Sequence, residues 1–313
     1  MTEKDKLEAE ELLRLAYEYS KNKDVQNEVS CYAKAAKLGH PFGYYNLGVC
    51  YEWGNGLPTD RKKALKCYLE ASKGGLADAT YRVGCFYHGG WDVEQDHKKA
   101  AELYQSAADA GLPEAMNALA GLYEYGIGVK KSKTRARDLI TKAAETGDPY
   151  YIRNLANHYK KGDLFPKNEK KACLWYRAAA QAEDMPSAYE YALYLHEGKY
   201  TEQNYEEAFE WFCRAADKQD EEAMYYVGLY HAKGIGRQVD HEKAIDWFMK
   251  PAKRCSAKAH YALGCYHREG FILEKDEKEA RRRFILAAGM GHPEAMQIVY
   301  GDPRTKKVKI KNK

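Results

Sequence analysis

The sequence predicts an all-α fold: a right-handed α-solenoid of about eight stacked helix-turn-helix repeats of 36 residues. Three sets of residues that recur every 36 positions support this prediction. The first set is all glycine: Gly54, Gly90, Gly126, Gly162, Gly198, Gly234 and Gly270. The second set has small side chains: Gly48, Gly84, Ala120, Ala156, Ala192, Gly228 and Gly264. The third set is all alanine: Ala64, Ala100, Ala136, Ala172, Ala208, Ala244 and Ala280.

Each set predicts one part of the repeat. The recurring glycine marks the end of the first helix, because a left-handed residue closes the last turn and glycine adopts that conformation without strain. The second helix begins at a residue whose side chain accepts hydrogen bonds from free backbone N–H groups, four positions before each recurring alanine. These residues are Asp60, Asp96, Ser132, Asn168, Asn204, Asp240 and Asp276. A glycine in the following turn, such as Gly75, ends the unit.

A helix pair of this size cannot bury its apolar face alone, so the repeats are expected to stack into one domain. The predicted units are 7–40, 41–76, 77–112, 113–148, 149–184, 185–220, 221–256 and 257–292. A terminal cap at 293–300 completes the single domain 1–300, and 301–313 form a basic, flexible tail.

Units in the second half of the chain depart from the pattern. Glu183, Gln219 and Cys255 replace the glycine that ends the unit, and Pro251 lies within a predicted second helix. Proline removes a backbone donor and clashes with the carbonyl four residues earlier. We therefore expect this helix to end or kink at Pro251.

Several segments resemble a known family. The stretches 47–56 (LGVCYEWGNG), 122–129 (LYEYGIGV) and 243–248 (KAIDWF) are similar to Sel1-like repeats, which are relatives of the tetratricopeptide repeat. The resemblance covers residues 25 to 300. It implies a scaffold or adaptor in protein complexes. Secreted bacterial relatives carry cysteine pairs that link the two helices of a repeat, whereas the cysteines here are scattered.

Composition narrows the class of protein. Hydrophobic residues make up 45% and charged residues 31% of the chain, which is typical of an ordered protein. The net charge of +4 owes six positive side chains to residues 304–313, so the remainder is slightly acidic. The charged N-terminus lacks the apolar segment of a secretory signal, and the eight cysteines form no CxxC pair. We therefore expect a cytoplasmic monomer with reduced cysteines.

Motifs for catalysis, cofactors and metals are weak. Residues 121–127 imitate a phosphate-binding loop but end in Ile127, where lysine is required. Cys255, His260, Cys265 and His267 cannot converge on one ion, because residues five apart on a helix point about 140° away from each other. His241-Glu242 lacks the second histidine of a zinc protease, and no nucleophile is paired with a histidine. We expect no enzyme, no cofactor and no metal site.

The first helix of each repeat is expected to line the concave groove of the solenoid, and its inward residues are the candidate binding site. These residues are Tyr45, Trp53, Tyr81, His88, Asn117, Tyr125, Arg153, Asn157, Lys160, Tyr189, Tyr225 and Tyr261. Arg153 and Lys160 would receive an acidic group of a partner peptide, and the tyrosines would hold its side chains. Alternatively, the tyrosines pack only against the next repeat.

Two other classes remain as alternatives. An RNA-binding helical-repeat protein has a similar unit length, but its repeats select bases through small polar residues, whereas these positions carry tyrosine. The slightly acidic body also attracts phosphate weakly. An enzyme with a site assembled across repeats is the least favoured class, because nothing in the sequence nominates a nucleophile or base.

Overall fold

The computed structural model describes residues 2–301, which form an all-α chain of 17 helices. The basic tail predicted at 301–313 lies outside the described residues, except for Gly301. The chain divides into two compact units, Met1–Pro166 and Lys167–Lys313. Odd-numbered helices are called A helices and even-numbered helices B helices, because they alternate as the two members of each repeat. The predicted all-α helix-pair fold is confirmed.

The N-terminal unit contains nine helices, whose ends follow the sequence period. They are α1 (Glu3–Lys21), α2 (Val25–Lys37), α3 (Pro41–Trp53), α4 (Arg61–Lys73), α5 (Ala77–Gly89), α6 (His97–Asp109), α7 (Pro113–Tyr125), α8 (Lys133–Glu145) and α9 (Pro149–Lys161). Each helix packs chiefly on the helices before and after it in the chain.

The C-terminal unit repeats this order in its described part. Its helices are α10 (Glu169–Gln181), α11 (Met185–Glu197), α12 (Tyr205–Asp217), α13 (Glu221–Lys233), α14 (His241–Ala252), α15 (Ala257–Glu269), α16 (Glu277–Gly289) and α17 (Pro293–Tyr300). Helix α14 ends one residue after Pro251 and has 12 residues, whereas α12 and α16 have 13 each. Of the two predicted effects of Pro251, the helix ends early, one residue after the proline.

The recurring residues act as the sequence predicts. Every recurring glycine caps an A helix with a positive φ, as at Gly54 (75°) and Gly270 (71°). Each residue predicted to cap the start of a B helix accepts a backbone hydrogen bond, such as that from Lys63 N to Asp60 Oδ1 at 3.0 Å. The recurring alanines are fully buried or nearly so, which allows close approach of neighbouring helices.

The core of a repeat is a ring packed on a small residue. A Cβ atom added to Gly84 would lie 2.7 Å from the ring of Tyr104, and one added to Gly228 would lie 2.7 Å from the ring of Phe248. Carbon atoms do not approach this closely, so in these two repeats the absence of a side chain lets the ring lie against the A helix. In the repeats that carry Ala156 or Ala192 at this position, the equivalent rings of Tyr176 and Phe212 are also buried.

Left-handed conformations also occur at the three residues that replace glycine between repeats. Glu183, Gln219 and Cys255 have φ values of 65°, 70° and 67°. At the equivalent Gly147 and Gly291, an added Cβ would meet no atom within 4 Å, so backbone strain alone disfavours a side chain there. This strain is worth about 1 kcal/mol per residue.

We expect Cys255→Gly to stabilise the protein by up to about 1 kcal/mol, because the substitution relieves the left-handed strain. Cys255 is exposed, so little packing is lost. The matched variant Gly147→Ala should lower the free energy of unfolding by a similar amount. Thermal and urea unfolding of both variants provide the measurement, and a lower midpoint for Cys255→Gly would contradict the strain argument.

Two observations bear on the state of the cysteines and on membrane insertion. Among the described residues, all eight cysteines are free thiols. No helix in residues 2–301 is both long enough and apolar enough to cross a membrane.

Candidate peptide-binding surface

Five of the candidate tyrosines occupy the fifth position of an A helix, and each packs on the ring of the B helix in its own repeat. The ring centroids are 5.7 Å apart for Tyr45–Tyr68, 5.5 Å for Tyr81–Tyr104, 6.0 Å for Tyr189–Phe212, 5.6 Å for Tyr225–Phe248 and 5.7 Å for Tyr261–Phe284. These tyrosines are half-buried. One side of each tyrosine ring therefore packs in the core, and the other side is accessible to solvent. We call the surface formed by the accessible side chains of the A helices in a unit the A face of that unit.

The hydroxyl groups of Tyr81, Tyr189 and Tyr225 stay protonated at neutral pH. Burial raises the pKa of Tyr225 to about 12, and burial likewise raises the pKa of Tyr189 and Tyr81 above the ordinary value. At neutral pH the A face therefore presents neutral phenols, which can donate or accept hydrogen bonds.

In the N-terminal unit, a charged network joins α3, α4 and α5. The hydroxyl of Tyr68 donates to Glu52 Oε2 at 2.6 Å, and Arg82 Nη1 lies 4.0 Å from Glu52 Oε1. Burial alone would lower the pKa of Arg82, but its hydrogen bond to Tyr45 and the Glu52 carboxylate raise that pKa above its usual value. The sequence pattern does not indicate this network, because Arg82 and Glu52 lie outside the recurring sets.

A polar cluster occupies the A face on α7 and α9. Asn154 Nδ2 donates to Asn117 Oδ1 at 2.7 Å, and the Arg153 guanidinium lies 5.5 Å from the ring centroid of Tyr150. Open space lies one turn further along α7, because a Cβ added to Gly121 would meet no atom within 4 Å.

Two further candidates follow on α9 and belong to the same surface. Asn157 and Lys160 are half-buried on the helix that carries Arg153. Amide, guanidinium and ammonium groups are thus concentrated on two adjacent A helices. Asn154 is a member of the cluster that the sequence analysis did not select.

Three candidates lie apart from the middle of the A face. Trp53 and Tyr125 are the last residues of α3 and α7, with 62% and 69% of their surface exposed. His88 is half-buried, and its ring lies 5.0 Å from that of His97. Burial, assisted by the nearby His97, lowers the pKa of His88, so the ring is neutral at pH 7.

In the C-terminal unit, a fourth tyrosine joins the predicted Tyr189, Tyr225 and Tyr261. Tyr226 stacks on Phe212 at 4.6 Å, and its ring centroid lies 6.1 Å from Tyr189 and 5.8 Å from Tyr225. The sequence analysis missed Tyr226 because other repeats carry no aromatic residue at this position. The result is an aromatic surface on α11 and α13.

The predicted residues thus form two sets. Those from Tyr45 to Lys160 belong to the N-terminal unit, and Tyr189, Tyr225 and Tyr261 belong to the C-terminal unit. Each set is a candidate surface of its own. Within residues 2–301, no group of three or more histidine, cysteine or carboxylate side chains could hold a metal ion.

Comparison with known proteins finds one repeat family along most of the chain. The Sel1 repeat model matches residues 29–40, 41–76, 77–112, 113–148, 149–184, 186–220, 221–250 and 257–292. No curated protein matches this chain.

The solved structures similar to this chain include two repeat proteins with TM-scores above 0.6. One is a protective antigen of uropathogenic Escherichia coli strains with an SLR fold, which is 26% identical in sequence and has a TM-score of 0.80. The alignment covers 93% of this chain. This chain spans only 64% of the length of that antigen. A Sel1 repeat protein from Oxalobacter formigenes has a TM-score of 0.64 at 25% identity, covering 77% of this chain and 99% of its own length.

Proposed function

Because this chain belongs to the Sel1 repeat family, whose members are generally protein-interaction scaffolds, we propose that it is a non-catalytic scaffold that binds a segment of a partner polypeptide on its A face. The observation that carries the proposal is the polar cluster on α7 and α9. It combines open space at Gly121 with the side chains of Arg153, Asn157 and Lys160.

The side chains of this cluster favour a particular ligand chemistry. Asparagine amides both donate and accept hydrogen bonds, so they match the backbone of an extended peptide. A guanidinium and an ammonium group attract a carboxylate through charge-assisted hydrogen bonds. The partner segment is therefore expected to carry at least one acidic group, either a side chain or a chain terminus.

The aromatic surface of the C-terminal unit favours apolar contacts. Tyr189, Tyr225 and Tyr226 are half-buried and packed together, so their rings are held in place before a partner arrives. Rigid aromatic side chains lose little conformational entropy on binding and are enriched among the residues that dominate interfaces. This surface is a separate candidate site, which would accept apolar side chains of a polypeptide.

We expect Arg153→Glu combined with Lys160→Glu to weaken partner binding by about 2 kcal/mol or more, because two attractive charges become repulsive. The partner is first isolated with the wild-type chain and then titrated by calorimetry at low salt. The loss should shrink as salt is added.

A charge-matched control separates the effect of charge at the polar cluster from the effect of the net charge of the whole protein. Lys37→Glu combined with Lys142→Glu makes the same change in net charge at exposed positions on α2 and α8. This control should bind like the wild type, and both double variants should keep their melting temperature. Equal affinity of the Arg153/Lys160 variant and the wild type would place the binding surface elsewhere.

A further inference from the structure

The connections between A and B helices form one edge of the N-terminal unit, which we call the A–B edge. It comprises residues 53–63, 89–99 and 125–135 of three consecutive repeats. Successive connections touch the neighbouring repeat. The Arg61 guanidinium lies 5.9 Å from the ring centroid of Trp91, and a Cβ added to Gly128 would collide with the backbone of His97. The edge is therefore continuous from one repeat to the next.

Each of these repeats exposes one large aromatic side chain at the A–B edge. The exposed fractions are 62% for Trp53, 43% for Trp91 and 69% for Tyr125. The indole of Trp91 lies over Gly89, where an added Cβ would be 2.5 Å from the ring. Trp91 packs edge-on against the buried Phe86, with ring centroids 5.8 Å apart, whereas Trp53 and Tyr125 are mostly exposed. Exposed tryptophan and tyrosine side chains are among those that dominate protein interfaces.

Cations without ionic partners accompany these rings. In the described part of the chain, no ion pair involves the exposed residues Arg61, Lys62, Lys98, Lys130, Lys131 and Lys133. Four of them begin α4, α6 or α8, where the helix dipole disfavours positive charge.

The repeat fold does not require cations at these helix starts. The first two positions of α10, α12, α14 and α16 each include a glutamate (Glu169, Glu206, Glu242 and Glu277), which is followed by Lys170 in α10 and by Lys278 in α16. The same positions of α4, α6 and α8 hold no acidic residue, so the excess of positive charge at these helix starts belongs to the A–B edge and is not required by the repeat.

We propose that the A–B edge is a second docking surface, separate from the A face, for an acidic polypeptide segment that also carries aromatic or aliphatic side chains. The unpaired cations select acidic residues, and the exposed rings select apolar ones. Four exposed or half-exposed carboxylates, Asp60, Asp92, Glu94 and Asp96, interrupt the cations. A nucleic acid carries a phosphate at every nucleotide and would meet them, whereas a polypeptide can place its charges only opposite the cations.

The test uses the full chain and defined probes. A fluorescein-labelled peptide that repeats aspartate, phenylalanine and glutamate is titrated by fluorescence anisotropy, beside a peptide with glycine in place of phenylalanine and a labelled oligouridine of equal length. We expect the aromatic peptide to bind most tightly. Trp53→Ala combined with Trp91→Ala should weaken it at least tenfold, and Arg61→Glu combined with Lys62→Glu should do the same.

Two controls locate the effect. Phe42→Ala combined with Tyr150→Ala removes two exposed rings from the opposite ends of A helices and should leave the affinity unchanged. Arg153→Glu combined with Lys160→Glu reports any binding of the acidic probe on the A face, and it should lower the affinity less than either A–B edge variant does. Failure of the aromatic peptide to saturate, equal affinity in the tryptophan variant, or tighter binding of oligouridine would overturn the proposal without affecting that for the A face.

Discussion

Phe248→Ala is expected to lower the free energy of unfolding by about 3–5 kcal/mol, because it leaves a cavity in the centre of a repeat. The ring is 1% exposed and packs with Ala244, Leu263 and Tyr266. Urea unfolding followed by circular dichroism measures the loss. The exposed Ile285→Ala provides the control and should lose less than about 1 kcal/mol. A similarly small loss for Phe248→Ala would contradict the assigned packing.

A second substitution tests the contact between the ring and Gly228. In the wild type, Gly228→Ala should destabilise, because the new Cβ would lie 2.7 Å from the ring of Phe248. In the Phe248→Ala background, the same substitution should be neutral or stabilising, because the clash is gone and alanine favours a helix. The two effects are therefore expected to be strongly non-additive.

Glu52→Ala should lower the free energy of unfolding by about 2–3 kcal/mol, because it removes the carboxylate that both Tyr68 and Arg82 contact. The hydroxyl of Tyr68, a fully buried residue, loses its acceptor, and the half-buried Arg82 loses its nearest carboxylate. Thermal and urea unfolding report the loss. In the Glu52→Ala background, Tyr68→Phe should recover part of it, because no hydroxyl is then left without an acceptor.

The repeat supplies a matched control. Glu124 occupies on α7 the position that Glu52 occupies on α3, but the facing residue of the B helix is Ile140, which has no hydroxyl. Glu124→Ala should therefore change stability by less than about 0.5 kcal/mol. Equal losses at both positions would show that the helix position matters and the hydrogen bond to Tyr68 does not.

The fold could be predicted from the sequence because each helix end is encoded many times. Gly54 and its equivalents all take the same left-handed conformation, and Asp60 and its equivalents all cap a helix, so one misleading residue changes little. Even Cys255, which breaks the glycine pattern, keeps the left-handed turn. The local chemistry of a 36-residue unit determines these features.

The candidate site could be predicted only in part. The recurrence of tyrosine identified Tyr45 and Tyr225, but it could not reveal that their rings pack on Tyr68 and Phe248. Trp91 was missed because it lies two residues beyond the position of Trp53 and Tyr125. The glycine at that position, Gly89, was the available signal, because it makes room for the indole.

The preference of each helix for its neighbours in the chain determines how the protein is expected to fold. Contacts between sequence neighbours close only short loops, so little chain entropy is lost before the first contacts form. Folding can therefore start at any pair within a unit and spread outwards, rather than wait for distant segments to meet. For the same reason, a damaging substitution such as Phe248→Ala should loosen its own repeat and the adjacent ones first. Local hydrogen-exchange rates around α13–α15 would then rise before those of more distant helices in the same unit.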